Sequence, residues 1–389
     1  MKQLKIMIVG GGSGGHLTPV VAIADSLKQL HPSTVVVHVG QKGEGLVDVV
    51  HNPSIDESYA ITAGKFRRYH GESFISHLLD VKTLILNARD FFRFMYGTIE
   101  AYRLLGKARP ACILLKGGFV SVPVGFAARV RKIPYLTHDS DAVPGLANKI
   151  TAKHAIYNTT ALPAALYPYD QAKTKQVGIP IRKEFKEVLP ENLNLLKEKI
   201  GIGRNKTVIF SVGGGLGAQK INQALVRASK TLLESENNCY IVHLTGKKHF
   251  DETKKQYQLK LSPAQMNRIQ LIDFTTDLYK YSAAADIVLT RAGATNIAEF
   301  AAQAKTCVVV PAPHLTGGQQ LHNAEVLRKT NAAIIVDEES LSHLDTILLD
   351  AIALTQEQKN AYGKALHKLA VYDSADKLAN ILIDISMDK

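Results

Sequence analysis

Short apolar runs alternate with longer stretches of helical period along the whole chain. In the first half, apolar runs at 4–9, 34–39, 112–115 and 134–137 predict strands, and helical periodicity predicts helices over 19–30, 74–105 and 123–130. In the second half, strands are predicted at 207–212, 240–245, 269–272, 286–290, 306–310 and 333–336. Near the end, Leu378, Ile381, Leu382 and Ile385 recur at helical spacing. Strands that alternate with helices, and that are apolar throughout rather than at every second position, predict parallel sheets covered on both faces. The fold class expected is therefore α/β.

Two glycine-rich loops punctuate this pattern. Gly10-Gly11-Gly12-Ser13-Gly14-Gly15-His16 follows the strand at 4–9, and Gly213-Gly214-Gly215-Leu216-Gly217-Ala218 follows the strand at 207–212. A strand, a glycine turn and a helix start bring free backbone N–H groups and the positive end of a helix dipole to one spot, which suits an anion. Two such units predict a pair of Rossmann-like domains. The first loop spells the dinucleotide fingerprint, but nicotinamide binding also needs an acid at the tip of the second strand. Here that tip reads Gly40-Gln41-Lys42.

Composition narrows the partners. The formal charge is +12, which points to an anionic partner. No zinc-finger, RRM or KH signature and no arginine-rich tail is present, so nucleic acid is not expected. Cys112, Cys239 and Cys307 are far apart in or beside apolar runs and read as reduced core residues. No signal peptide is expected, because the first residues lead straight into a strand. Asp139-Ser140-Asp141 reads as a polar loop rather than a metal site.

Seven motifs, in order, carry a resemblance. Gly11-Gly12-Ser13-Gly14-Gly15-His16-Leu17-Thr18-Pro19 resembles the GGTGGHxxP loop of the MurG family of peptidoglycan glycosyltransferases. Lys116-Gly117-Gly118-Phe119-Val120-Ser121-Val122-Pro123 is similar to its KGGYxSxP segment. The run from His138 to Lys149 resembles HEQNAxxGxxNK, and Gly178-Ile179-Pro180-Ile181-Arg182 resembles GNPVR. Gly213 to Ala218 is similar to GGSxGA, Arg291-Ala292-Gly293-Ala294 with Glu299 to RSGAxxxxE, and Gln319-Gln320 with Asn323-Ala324 to QQxxNA.

The resemblance implies a GT-B fold, two Rossmann-like domains with the active site between them. It divides the chain into an acceptor domain over 1–180, a donor domain over 181–372, and a helix over 373–389 that crosses back onto the first domain. It implies an inverting transfer of GlcNAc from UDP-GlcNAc to the C4 hydroxyl of MurNAc in lipid I, giving lipid II, with no metal and no cofactor. Related readings are a glycolipid glycosyltransferase of the same fold and a sugar-nucleotide-binding protein without activity.

The residues take roles accordingly. Gly213, Gly214, Gly215 and Gly217 cradle the UDP diphosphate, with Arg291, Gly293 and Ala294 beside them. Glu299 accepts the ribose hydroxyls, and Gln319, Gln320 and Asn323 read the sugar. Ser13, Gly14, Gly15, His138, Asp141, Asn148 and Arg182 fall on the acceptor side. His16 and Asp139 are the candidate bases. Two departures stand out. Gly215 replaces a serine that contacts phosphate in the family, and Asp139-Ser140-Asp141 replaces Glu-Gln-Asn.

Lipid I is anchored in the cytoplasmic leaflet, so the resemblance implies a peripheral protein on that face, in contact with anionic phospholipids. The stretch from Lys65 to Arg109 has nine Lys/Arg against four acids. Within it Leu78, Val81, Ile85, Phe92, Met95, Ile99 and Tyr102 recur at helical spacing. The expectation is an exposed apolar and basic patch around 65–93, including Phe74, Ile75 and Leu79, with the stripe turning to the core farther along.

Overall fold

The computed structural model describes residues 4–11, 14–43, 52–64, 81–214, 218–313 and 318–387, and leaves the side chains of 14–17 and 81–85 undescribed. Two compact units divide the chain. Unit 1 is Met1–Arg182 with Tyr372–Lys389, and unit 2 is Lys183–Val371.

Unit 1 is built on seven parallel strands: β1 (Lys5–Val9), β2 (Val35–Gln41), β3 (Glu57–Ile61), β4 (Cys112–Leu115), β5 (Tyr135–Asp139), β6 (Tyr157–Thr160) and β7 (Thr174–Gln176). Their order is β3-β2-β1-β4-β5-β6-β7. Side chains alternate across the sheet. Met7 and Val9 pack with Leu105, Val124 and Ala127 on one face, while Ile6 and Ile8 pack with Val20, Ile23 and Leu27 on the other. That second face is completed by the C-terminal helix Ser374–Met387, whose Leu378, Ala379 and Leu382 join the same cluster. The Ser26 hydroxyl donates to Asp376 and ties this helix to α1 (Gly14–Leu30).

α1 begins at Gly14, five residues before the predicted start, and holds Pro19 inside it. Gly14 and Gly15 are thus helical, and His16 lies in the first turn.

The helix α2 (Val81–Ala108) corrects the expectation for its apolar stripe. Phe92, Met95, Ile99 and Tyr102 face solvent, Phe92 being 69 % and Ile99 50 % exposed. The face turned inward carries Asp90, Gly97, Ala101 and Leu105 instead. The cause is a close backbone approach. A Cβ on Gly97 would fall 1.9 Å from the Thr62 carbonyl oxygen, and one on Gly64 would fall 2.0 Å from that of Asp90. Large side chains cannot enter so tight a contact, so they point away from it. Residues 65–80, with Phe74, Ile75, Leu78 and Leu79, lie outside the described residues.

Unit 2 has six parallel strands: β8 (Thr207–Val212), β9 (Cys239–Leu244), β10 (Ile269–Ile272), β11 (Ile287–Thr290), β12 (Cys307–Val309) and β13 (Ile334–Ile335). Their order is β10-β9-β8-β11-β12-β13. Ile209 packs beneath the helix Gln219–Ser235, and Val208, Phe210 and Val212 face the opposite layer.

In both sheets the chain moves outward to one side, returns, and moves outward to the other. The reversal falls between β1 and β4 in unit 1 and between β8 and β11 in unit 2. Adjacent loops diverge at such a reversal and leave a crevice at the carboxyl ends of the strands, where open α/β sheets bind ligands.

Candidate active site

In unit 2 the register pairs Val212 with Thr290, so the loops beginning at Gly213 and Arg291 emerge side by side. Gly214 has φ +88. A side chain there would be strained, and the glycine frees the backbone to turn toward a ligand. Gly215 and Gly217 lie outside the described residues. Three helices begin along this edge: α4 (Gln219–Ser235) after β8, α5 (Ala294–Ala302) after β11 and α6 (Gln319–Lys329) after β12. Their N-caps are Ala218, Gly293 and Gly318, and none supplies a side-chain cap. Uncapped first turns leave N–H donors for an anion. Ala294 opens α5, and a Cβ on Gly293 would meet nothing within 4 Å.

Amides brace this edge. The Asn323 side chain donates to the Ala292 carbonyl at 3.0 Å and ties α6 to the loop before α5. The Gln320 carbonyl oxygen accepts from the Ala312 N–H at 2.9 Å. Gln319 is half-buried at the start of α6. Glu299 on α5 is only 2 % exposed.

Arg291 is committed locally. Its guanidinium donates to Glu338 at 2.7 Å and to the carbonyls of Val310 and Pro311 at 3.2 and 3.4 Å. Glu338 also receives Lys220 of α4 at 2.5 Å. Burial pushes the Glu338 carboxyl up, but bonds from Lys220 and Arg291 outweigh it and hold the pKa below the ordinary value. Arg291 thus braces the loop from within unit 2. No sequence signal pointed to Glu338.

A second brace lies below α4. Asn222 donates to the Thr245 carbonyl at 2.9 Å and its Oδ1 lies 3.0 Å from His243 Nε2, whose Nδ1 meets the Tyr257 hydroxyl at 3.0 Å. Burial drives the His243 pKa down to about 3, so the ring is neutral.

In unit 1 the register pairs Val9 with Leu115, which sets Gly10 beside Lys116. His38 Nε2 lies 2.9 Å from the Gly10 carbonyl, so the ring donates there. Gly117 and Gly118 have φ +101 and +78, and a Cβ on Gly118 would stand 3.0 Å from the Gly11 carbonyl. Ser121, the first residue of α3 (Ser121–Val130), closes the turn, donating to the Gly117 carbonyl at 2.7 Å and accepting from its N–H at 3.1 Å. Gly14 and Gly15 open α1, Ser13 lies outside the described residues, and so does the side chain of His16.

The segment after β5 is held from within. Asp139 is 5 % exposed, and its two oxygens accept from the Tyr169 hydroxyl at 2.7 Å and the Gly145 N–H at 3.2 Å. Burial raises its pKa against these bonds. Asn148 is buried and donates to the His138 carbonyl at 2.9 Å. The His138 ring is buried in the sheet, with Nδ1 3.1 Å from Thr159 Oγ1. The Asp141 carbonyl accepts from Tyr167 at 2.9 Å. Arg182 is half-buried where unit 1 ends.

Comparison with known proteins follows this division. Residues 6–157 match the glycosyltransferase family 28 N-terminal domain, and residues 208–378 its C-terminal domain. A Clostridium perfringens protein, the UDP-N-acetylglucosamine–N-acetylmuramyl-(pentapeptide) pyrophosphoryl-undecaprenol N-acetylglucosamine transferase, is 30 % identical over 98 % of both chains. The chain belongs to the MurG family of glycosyltransferases. The transferase of the same name from Acetivibrio thermocellus is 28 % identical over 99 % of each chain. Among solved structures, Acinetobacter baumannii MurG superposes with a TM-score of 0.70 at 22 % identity, covering 98 % of this chain and 99 % of that one. The UDP-bound MnaA of S. aureus gives 0.66 at 13 % identity, covering 99 % and 97 %. The fold is GT-B, as the MurG motifs implied.

Proposed function

We propose that this chain transfers GlcNAc from UDP-GlcNAc to the C4 hydroxyl of MurNAc in lipid I, forming lipid II with inversion at the anomeric carbon. The observation that carries this reading is the match, over 98 % of both chains, to a transferase of that name. The geometry of each unit supports it.

Unit 2 takes the donor. The acceptor oxygen attacks the anomeric carbon in line as the bond to the UDP oxygen breaks, and charge grows on the departing diphosphate. The uncapped first turns of α4, α5 and α6 lie where such charge is best met, by preorganised N–H groups. Glu299 accepts the ribose hydroxyls, and Gln319, Gln320 and Asn323 face the sugar. Unit 1 takes the acceptor, with its diphosphate at the turns Gly10-Gly11 and Gly117-Gly118.

His16 is the base that takes the C4 hydroxyl proton. An imidazole titrates near neutrality, which suits proton transfer. Asp139 serves the loop instead, since both its oxygens hold hydrogen bonds within unit 1. Incubation with UDP-GlcNAc and a short-chain lipid I analogue tests the reading. UDP release that depends on the analogue supports it, and its absence defeats it.

The protein works at the cytoplasmic membrane surface. Among the described residues no helix is long and apolar enough to cross a membrane. Phe91, Phe92, Met95, Tyr96 and Ile99 form an exposed stripe along α2, with Arg89 and Arg93, which share the buried Asp90 carboxylate, beside it. An apolar stripe flanked by cations suits the interface of an anionic leaflet. Replacing Phe92, Met95 and Ile99 together with serine is expected to weaken sedimentation with anionic vesicles by about ten- to a hundred-fold, from the apolar burial lost. UDP affinity should not change. Unaltered sedimentation would refute the membrane face.

A further inference from the structure

Lys116 has no part in the reading above, yet its position is costly. It stands at the carboxyl end of β4, at the point where strand order reverses in unit 1, and is 2 % exposed. Its stem passes over Gly10, where a Cβ would come 3.2 Å from Lys116 Cβ. The ammonium donates to Ser140 Oγ at 2.5 Å. Among the described residues this is its one hydrogen bond. A buried ammonium is unfavourable unless its surroundings compensate the charge. Beside it stand the left-handed turn Gly117-Gly118 and the Gly10-Gly11 turn, in contact with each other.

We propose that Lys116 is the cation of an anion site in unit 1, and that its ligand is the diphosphate diester of a prenyl-linked acceptor sugar. The site itself follows from this geometry. Only the identity of the ligand rests on the function proposed above.

Two consequences follow from the burial. Burial lowers the Lys116 pKa to about 7, with Asp139 and then Asp141 pulling it partly back up. A bound dianion favours the protonated amine, so affinity is full below that pKa and falls as pH rises through it. The folded pKa also lies below that of an unfolded lysine. The unfolded chain therefore holds the extra proton, and Lys116 costs stability that a neutral side chain would not.

The test uses the full chain saturated with UDP, so that the donor site is filled. The probe is a diphosphate diester with one methyl on each phosphorus, whose charge is constant through the neutral range. Its affinity is measured by titration calorimetry at about pH 6 and about pH 8. Wild type should bind on the order of ten-fold more tightly at the lower pH. Lys116→Met should abolish that difference and bind no better than wild type does at the higher pH, while its unfolding midpoint rises. Other titratable groups stand near this region: His38 on β2, His138 and Asp139 on β5, Asp141 after it, and Tyr167 and Tyr169. Persistence of the pH dependence in Lys116→Met would assign it to one of them and overturn the proposal. So would probe affinity that Lys116→Met leaves intact. Circular dichroism and UDP affinity confirm that the variant folds. Lys116-dependent probe binding without transfer to lipid I would leave the anion site standing and defeat only the acceptor assignment.

Discussion

Glu299→Ala is expected to lower kcat/KM for UDP-GlcNAc by about two to four orders of magnitude. The carboxylate is buried on α5, in the helix whose uncapped first turn follows β11 at the carboxyl edge of the unit 2 sheet. Two ribose hydroxyls donating to one carboxylate make two charge-assisted bonds, each contributing about 1.5–3 kcal/mol. At about 1.4 kcal/mol per ten-fold, their joint loss reaches that range. Glu299→Gln keeps the volume and one acceptor, and should lose only about ten-fold. The effect should appear equally in UDP affinity measured without acceptor, because ribose does not react. A loss confined to kcat, or to acceptor KM, would remove Glu299 from the donor site.

His16→Ala should reduce kcat by about 10²–10⁴, the usual contribution of a positioned general base. UDP affinity should be unchanged, since the residue lies in unit 1. The kcat profile of wild type should fall on the acid side, where imidazole is protonated and cannot accept a proton, and that limb should vanish in the variant. Asp139→Asn provides the contrast. It weakens the bonds from Tyr169 and Gly145 and should lower the unfolding midpoint more than it alters the pH profile. An acid limb that survives in His16→Ala and disappears in Asp139→Asn would exchange the two roles.

How much of this was legible in the sequence depended on burial. The central strands β1, β4, β8 and β11 are mostly apolar on both faces because both faces are covered, so their positions stand out. β3 (Glu57–Ile61), β6 (Tyr157–Thr160) and β7 (Thr174–Gln176) were not predicted. They lie at or near the edges of the sheet, are short, and carry Glu, Asn, Thr, Lys and Gln that no periodicity distinguishes from loop. The inward face of α2 was misread for a different reason. Periodicity finds the apolar stripe, but the close approach of Gly97 to Thr62 decides which stripe faces the core, and a glycine carries no hydropathy signal.

At the site, motif order located the loops, and strand topology explains why those loops matter: both pairs emerge at a reversal of strand order. The support behind them was not legible. Arg291 reads as a free cation, yet Glu338, distant in sequence, claims it. Lys116 reads as part of a turn, and only its burial marks it as costly.

The most direct measurement is the product itself. The full chain, incubated with UDP-GlcNAc and a short-chain lipid I analogue on anionic vesicles, should release UDP in step with a new disaccharide, GlcNAc joined to C4 of MurNAc. The proton coupling at the new anomeric centre should report the β configuration, inverted from the α-linked donor. UDP release without disaccharide, an α linkage, or equal transfer from UDP-glucose would contradict the account.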